Sequence, residues 1–107
     1  LNDPQFFEAS RVFAQRILLE AGKTIEEQID YGFRLATSRH PEKEEVEILK
    51  EMYSSQLKYY KSKPSEAYKL VNVGETPYNR RLSLSKTAAM TLVANTLLNH
   101  NETYTKR

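Results

Sequence analysis

The sequence contains no cysteine, and this absence excludes several kinds of site. A disulfide framework, a thiolate-bound metal, a covalently attached c-type haem and a cysteine nucleophile all require the thiol. Cysteine usage therefore favours neither an oxidising nor a reducing compartment.

The sequence also lacks a large excess of charge of one sign. Sixteen lysines and arginines against fourteen aspartates and glutamates leave a net charge of +2, which is too small to indicate nucleic acid or an anionic membrane as a partner. Tyrosines among lysines between Tyr53 and Tyr68 are compatible with a basic helical nucleic-acid binder. Tyrosines that cover the edge of a core explain the same residues more simply. We predict no nucleic-acid partner.

Long apolar runs are missing as well. The longest covers residues 88–98 and is interrupted by Thr91, Asn95 and Thr96. A bilayer requires roughly 20 apolar residues in a helix, so we predict no transmembrane helix.

The length of 107 residues suits a single helical domain over residues 1–107. The chain begins Leu1-Asn2-Asp3 with no initiator Met and no basic and apolar leader. We therefore expect a C-terminal fragment of a larger protein, although a processed terminus or a removed tag would give the same start.

Motifs for catalysis and for cofactor binding are absent. The two histidines, His40 and His100, stand at predicted helix ends and outside any His-Glu-x-x-His or Glu-x-x-His arrangement. The three glycines stand singly, so no phosphate-binding loop is present. His40 with Glu44, or His100 with Glu102, could share a metal, but histidines at helix ends more often interact with free carbonyls. We predict no catalytic residue, no cofactor and no metal site.

What the sequence does contain is helical periodicity, which predicts an all-α bundle of about five helices. Asp3 and Pro4 begin the first helix, and Gly22 ends it as a left-handed residue. Its predicted apolar face consists of Phe6, Ala9, Ser10, Phe13, Ala14, Ile17, Leu18 and Ala21. Its predicted outer face consists of Glu8, Arg11, Gln15 and Glu20.

Three further helices follow from capping residues and prolines. Thr24 and Glu27 form a capping box for the second helix. Gly32 in this helix indicates a close helix crossing. The helix is predicted to end between residues 38 and 40. The third helix opens at Pro41 and ends before Pro64, and the fourth covers residues 65–72. The predicted inner face of the third helix consists of Val46, Leu49, Tyr53, Leu57 and Tyr60, widened by Ile48, Met52 and Tyr59.

The last helix, residues 82 to about 103 with Ser83 as its cap, is predicted to lie at the centre of the bundle. No charged side chain occurs from Thr87 through Asn99, in a chain with 28% charged residues. Such a segment must be covered by its neighbours. The strip of Thr91, Asn95 and Asn99 could bind a ligand, but buried amides and hydroxyls more often bond to adjacent loop backbone.

The polar loop of residues 74–81 ends in two arginines. Arg80 and Arg81 could hold a phosphate or a carboxylate, although surface loops often carry such pairs. We retain Arg80, Arg81 and His100 as candidate partner contacts.

With these residues in view, the chain resembles the C-terminal part of a domain-of-unknown-function family of planctomycete and verrucomicrobial cell-surface proteins, in which it follows cytochrome-c-like modules. The resemblance is carried by residues 1–4 (LNDP), 7–9 (FEA), 31–39 (YGFRLATSR) with Pro41 and Glu45, 73–77 (VGETP) and 88–99 (AAMTLVANTLLN). It spans essentially the entire chain.

The resemblance implies an extracytoplasmic location, at the cell surface or in the periplasm, and a terminal position in a large bacterial protein. Our leading hypothesis is a non-catalytic helical module that packs against or positions other domains of the same parent chain. The alternative is a ligand-binding or enzymatic domain that acts on polysaccharide in the cell envelope. A concave pocket that gathers tyrosines with Arg80, Arg81 or His100 would favour this carbohydrate ligand.

Overall fold

Five α-helices make up the described part of the chain. The computed structural model describes the backbone of residues 4–105 and the side chains of residues 4–99. The helices are α1 (Pro4–Glu20), α2 (Ile25–Thr37), α3 (Lys43–Ser62), α4 (Pro64–Val71) and α5 (Leu84–Thr105). Within these residues there is no strand, so the predicted all-α bundle is confirmed.

Helix α5 lies at the centre and contacts each of the other four helices. Its buried residues are Thr87, Ala88, Ala89, Met90, Thr91, Val93, Ala94, Asn95 and Leu97. The main core joins this helix to Ile17, Phe33 and Leu49, and a smaller cluster joins Ala88 to Tyr60, Ala67 and Val71. The uncharged segment is therefore covered on nearly all sides, as its composition predicted.

Local capping explains where the helices begin. The Thr24 hydroxyl accepts a bond from the Glu27 amide at 3.1 Å, and the Glu27 carboxylate accepts one from the Thr24 amide at 3.1 Å, which confirms the predicted capping box. The Ser83 hydroxyl accepts from the Lys86 amide at 3.3 Å. Helix α3 begins at Lys43 and not at Pro41, where its start was predicted. The reason is that Glu42 is the cap residue of a second capping box with Glu45.

Two glycines act through the space that their missing side chains leave. The prediction of a left-handed Gly22 was wrong, since the positive φ angles are at Ser38 and Gly74. A β-carbon at position 22 would clash with the Glu27 carboxylate of the capping box. At Gly32 a β-carbon would lie 2.7 Å from Ile17 Cδ1, so the predicted close crossing is confirmed.

Two predicted helix faces need correction. Ala9 on α1 is exposed, whereas Arg11, predicted on the outer face, is 1% exposed. On α3, Ile48 is 66% exposed and Tyr59 is 43% exposed, although both were predicted to widen the inner face. The apolar arc of α3 is thus narrower than the sequence suggested.

The polar strip of α5 bonds within the core, and the prediction that it bonds to loop backbone was wrong. Asn95 Nδ2 donates to the Ser10 hydroxyl of α1 at 3.1 Å, and Asn99 Nδ2 donates to Asn95 Oδ1 at 3.4 Å. Thr91 donates to the carbonyl of Thr87 in its own helix at 2.7 Å. The Asn95–Ser10 bond joins the strip to α1, and the Thr91 and Asn99 bonds lie within α5.

Candidate functional site

The connection between α4 and α5 is held against α1 by three polar side chains. Glu8, Arg11 and Gln15 follow each other at helical spacing and therefore lie along one side of α1. Gln15 Oε1 accepts from the Asn79 amide at 2.8 Å, and Glu8 Oε2 accepts from the Thr76 amide at 2.6 Å. These residues, which sequence analysis assigned to solvent, fix the loop that carries both candidate arginines.

Arg11 is the centre of this junction. Its Nη1 donates to the Pro77 carbonyl at 3.1 Å, its Nη2 donates to the Thr76 carbonyl, and the Glu8 carboxylate lies 3.9 Å away. Burial lowers the pKa of Arg11 and the Glu8 charge opposes that shift. Because the guanidinium is covered by the loop it binds, its role is structural.

Glu8 supports the same junction from the exposed side. Hydrogen bonds from Thr76, and then from the Glu75 amide, hold the pKa of the Glu8 carboxyl below its ordinary value of 4.5. Gly74 has φ +96° and lies against this carboxylate, so a side chain at Gly74 would be strained and would clash with Glu8. The VGETP segment can lie against Glu8 because Gly74 has no side chain and because the Thr76 amide donates to the Glu8 carboxylate.

The structure separates the two candidate arginines. The Arg80 guanidinium carbon lies 5.9 Å from the centre of the Tyr78 ring, and Tyr78 meets Tyr68 edge to face at 6.1 Å. Tyr68 is 49% exposed, so these three residues form a patch on the outside of the bundle. Because the two rings are perpendicular, they do not form a flat platform for a sugar ring.

Arg81 lines a different feature, a groove of about 550 Å³ between the end of α1 and the start of α5. We call it the α1/α5 groove. Its lining residues are Leu18, Leu19, Ala21, Gly22, Lys23, Gln28, Arg81, Leu82, Ser83 and Lys86. They combine apolar side chains with three cations, a mixture that sequence analysis missed because the residues come from three separate segments.

A smaller apolar cavity of about 160 Å³ lies where α2, α3 and α5 meet. Its lining residues are Phe33, Glu45, Ile48, Leu49, Thr96 and Leu97. Glu45 is bound there by Arg39 at 2.9 Å. The cavity therefore holds no free charge for chemistry.

The histidines form no metal site in the described residues. His40 Nδ1 lies 3.0 Å from an Asp30 carboxylate oxygen, so it contacts a carboxylate and not the helix carbonyl we expected. Across residues 4–99 no three histidine, aspartate or glutamate side chains form a group that could hold a metal ion. The side chain of His100 lies outside the described residues, so its partner contact stays a prediction.

The sequence of α1, α2 and the first half of α3 matches a known family. Residues 1–53 match the family model described as PSD1: Protein of unknown function (DUF1553). This match covers just under half of the 107 residues. It includes Glu8, Arg11 and Gln15, and it ends before the VGETP segment and α5.

The chain is therefore similar to DUF1553-type domains, which agrees with the resemblance noted from residues 1–9 and 31–39. The curated proteins and the solved structures compared with it gave no significant match. No helix within the described residues has the length and apolar character needed to cross a membrane.

Proposed function

We propose that this DUF1553-type chain is a non-catalytic helical module that packs against another domain of a longer bacterial polypeptide at the cell surface or in the periplasm. The location and the parent polypeptide follow from the family resemblance. The packing role follows from the surface of α1.

An exposed apolar stripe on α1 carries this proposal. Val12 is 47% exposed, Leu19 is 59% exposed, and Ala9 lies one turn before Val12 on the same side of the helix. Arg16, which lies between Val12 and Leu19, is paired with Glu20 at 3.0 Å. In the described structure nothing covers Ala9, Val12 and Leu19, which lie on one side of α1. Exposed apolar side chains grouped on one helix side are found at interaction surfaces.

Three ionisable side chains hold backbone groups of the bundle in place, which supports a structural role for them. Glu8, Arg11 and Glu27 are each bound to backbone groups that they hold in place. A general base or nucleophile needs a free position next to a bound substrate. Side chains already engaged in capping and clamping do not offer one.

Binding of polysaccharide is a second candidate, favoured by the exposed Tyr68 and Arg80 on either side of the half-buried Tyr78. The two perpendicular rings form no flat platform, but the exposed Tyr68 ring with a cationic hydrogen-bond donor nearby offers contacts to a single sugar residue. Hydrolysis of a polysaccharide or ester by the purified chain, or metal binding at submicromolar strength, would contradict the packing module.

The stripe can be tested by thiol labelling, because the chain has no cysteine of its own. Val12→Cys places a reporter on the stripe, and Ser55→Cys places a matched reporter on the exposed side of α3. In the complete product of the gene, we expect labelling at position 12 to be roughly tenfold slower or more than in the 107-residue chain, because a packed domain would cover it. Mass spectrometry of the peptides measures each site separately.

The Ser55→Cys reporter should label at the same rate in both proteins. If Val12→Cys also labelled at the same rate in both proteins, α1 would be exposed in the complete protein. The packing role through this stripe would then be rejected.

A further inference from the structure

The α1/α5 groove has two chemically different parts. Leu18, Leu19 and Leu82 supply apolar surface, and Lys23, Arg81 and Lys86 supply positive charge. Leu19 also belongs to the exposed stripe of α1, so the groove continues the surface assigned to domain packing.

The three cations of the groove have no carboxylate partner among the described residues. Some cations on the bundle are paired, as Lys50 is with Glu26 at 2.8 Å and Arg39 is with Glu45 at 2.9 Å. The groove differs from other unpaired cations of the bundle in placing three of them around one apolar surface. The Glu27 carboxylate lies beside Gly22 of the lining and keeps its negative charge, since the Thr24 groups that it binds are neutral, so three cations face this one anion. The groove therefore presents a local positive charge, although the whole chain has a net charge of only +2.

We propose that the α1/α5 groove binds an acidic peptide segment of the partner domain, an inference that rests on the proposed packing role. An apolar side chain of that segment would lie against Leu18 and Leu82. Carboxylates on either side of it would pair with Lys23, Arg81 and Lys86, with the planar guanidinium of Arg81 suited to bidentate contact.

The lining favours a peptide over other polyanions. Single-stranded nucleic acids bind grooves in which aromatic rings stack on bases, and sugars also favour aromatic faces. The lining residues of this groove include no aromatic ring. An apolar floor with a cationic rim matches a segment that carries both leucine-like and acidic side chains.

The test is an NMR titration of the 107-residue chain with the acetylated peptide Glu-Glu-Leu-Leu-Glu-Glu as the probe. We expect amide shifts to concentrate at Leu19, Lys23 and Lys86, and to diminish as salt is added. The double variant Arg81→Gln/Lys86→Gln should raise the Kd about tenfold, because it removes two charge pairs. Lys58→Gln/Lys61→Gln removes the same charge from α3 and should leave the Kd unchanged.

Three comparisons decide the outcome. A peptide with serine in place of leucine should bind more weakly if the apolar floor contributes. The absence of groove shifts at millimolar peptide, or equal weakening by both double variants, would overturn the proposal. Tighter binding of a heparin-derived oligosaccharide at the same residues would overturn the assignment to a peptide.

The result is separable from that of the labelling experiment. Protection of Val12→Cys together with an empty groove would reject the acidic segment and keep the packing role. A groove that binds the peptide while Val12→Cys stays accessible would reject packing through the stripe.

Discussion

Val93→Asp is expected to unfold the chain under conditions in which Val12→Asp remains folded. Val93 is 0% exposed and belongs to the core cluster that joins α5 to α1, α2 and α3. A carboxylate placed there loses its water and gains no partner, at a cost of several kcal/mol. Domains of this size have a free energy of unfolding of about 5–15 kcal/mol. Circular dichroism during heating measures the effect.

Val12→Asp is the matched control, since it makes the same change in helix propensity on the exposed stripe of α1. Its effect on the free energy of unfolding should stay within about 1 kcal/mol, because position 12 keeps its contact with water. Equal destabilisation by the two substitutions would show that α5 is not the centre of the core.

Arg11→Met is expected to lower the free energy of unfolding by about 2–3 kcal/mol, because the carbonyls of Thr76 and Pro77 lose their donor. The methionine can fill part of the space, but it cannot donate a hydrogen bond. Amide exchange at Thr76, Tyr78 and Asn79 should rise at the same time, since the loop is held mainly from α1. Urea unfolding and hydrogen exchange measure the two effects.

Arg16→Met provides the comparison on the same helix. Arg16 is exposed and pairs with Glu20, so its removal should change the free energy of unfolding by no more than about 1 kcal/mol. If Arg16→Met destabilised the chain as strongly as Arg11→Met, the hydrogen bonds between Arg11 and the loop would make no specific contribution to the free energy of unfolding.

The central position of α5 could be predicted because a long helical segment without charged residues is expected to be buried. Charged side chains are excluded from Thr87 to Asn99, and helical spacing alone then requires cover on most sides. The caps at Thr24 and Ser83 were predictable for a similar reason, since each depends on residues that are close in the sequence.

The loop clamp could not be predicted because its partners are distant in the sequence. Arg11 and Pro77 are 66 positions apart, and a charged residue beside Glu8 on a helix surface is usually solvated. The spacing of Glu8, Arg11 and Gln15 was the available signal, but it is also the spacing of an ordinary outer face. Only the position of the loop distinguishes the two.

The candidate site was predicted in part. Arg80 and Arg81 were identified as a pair, yet the chain directs them to different surfaces, since Arg80 lies over Tyr78 and Arg81 lines the groove. Lys86 is close to Arg81 in the sequence, but Lys23 is far from both of them. Their meeting depends on α5 beginning beside the end of α1, which periodicity does not specify.

Native-state hydrogen exchange tests most directly whether α5 is the shared core of the bundle. We expect the amides of residues 89–97 to exchange only through global unfolding and to be the most protected in the chain. Exchange of these amides through local opening, while α2 and α3 stay protected, would contradict the central position of α5.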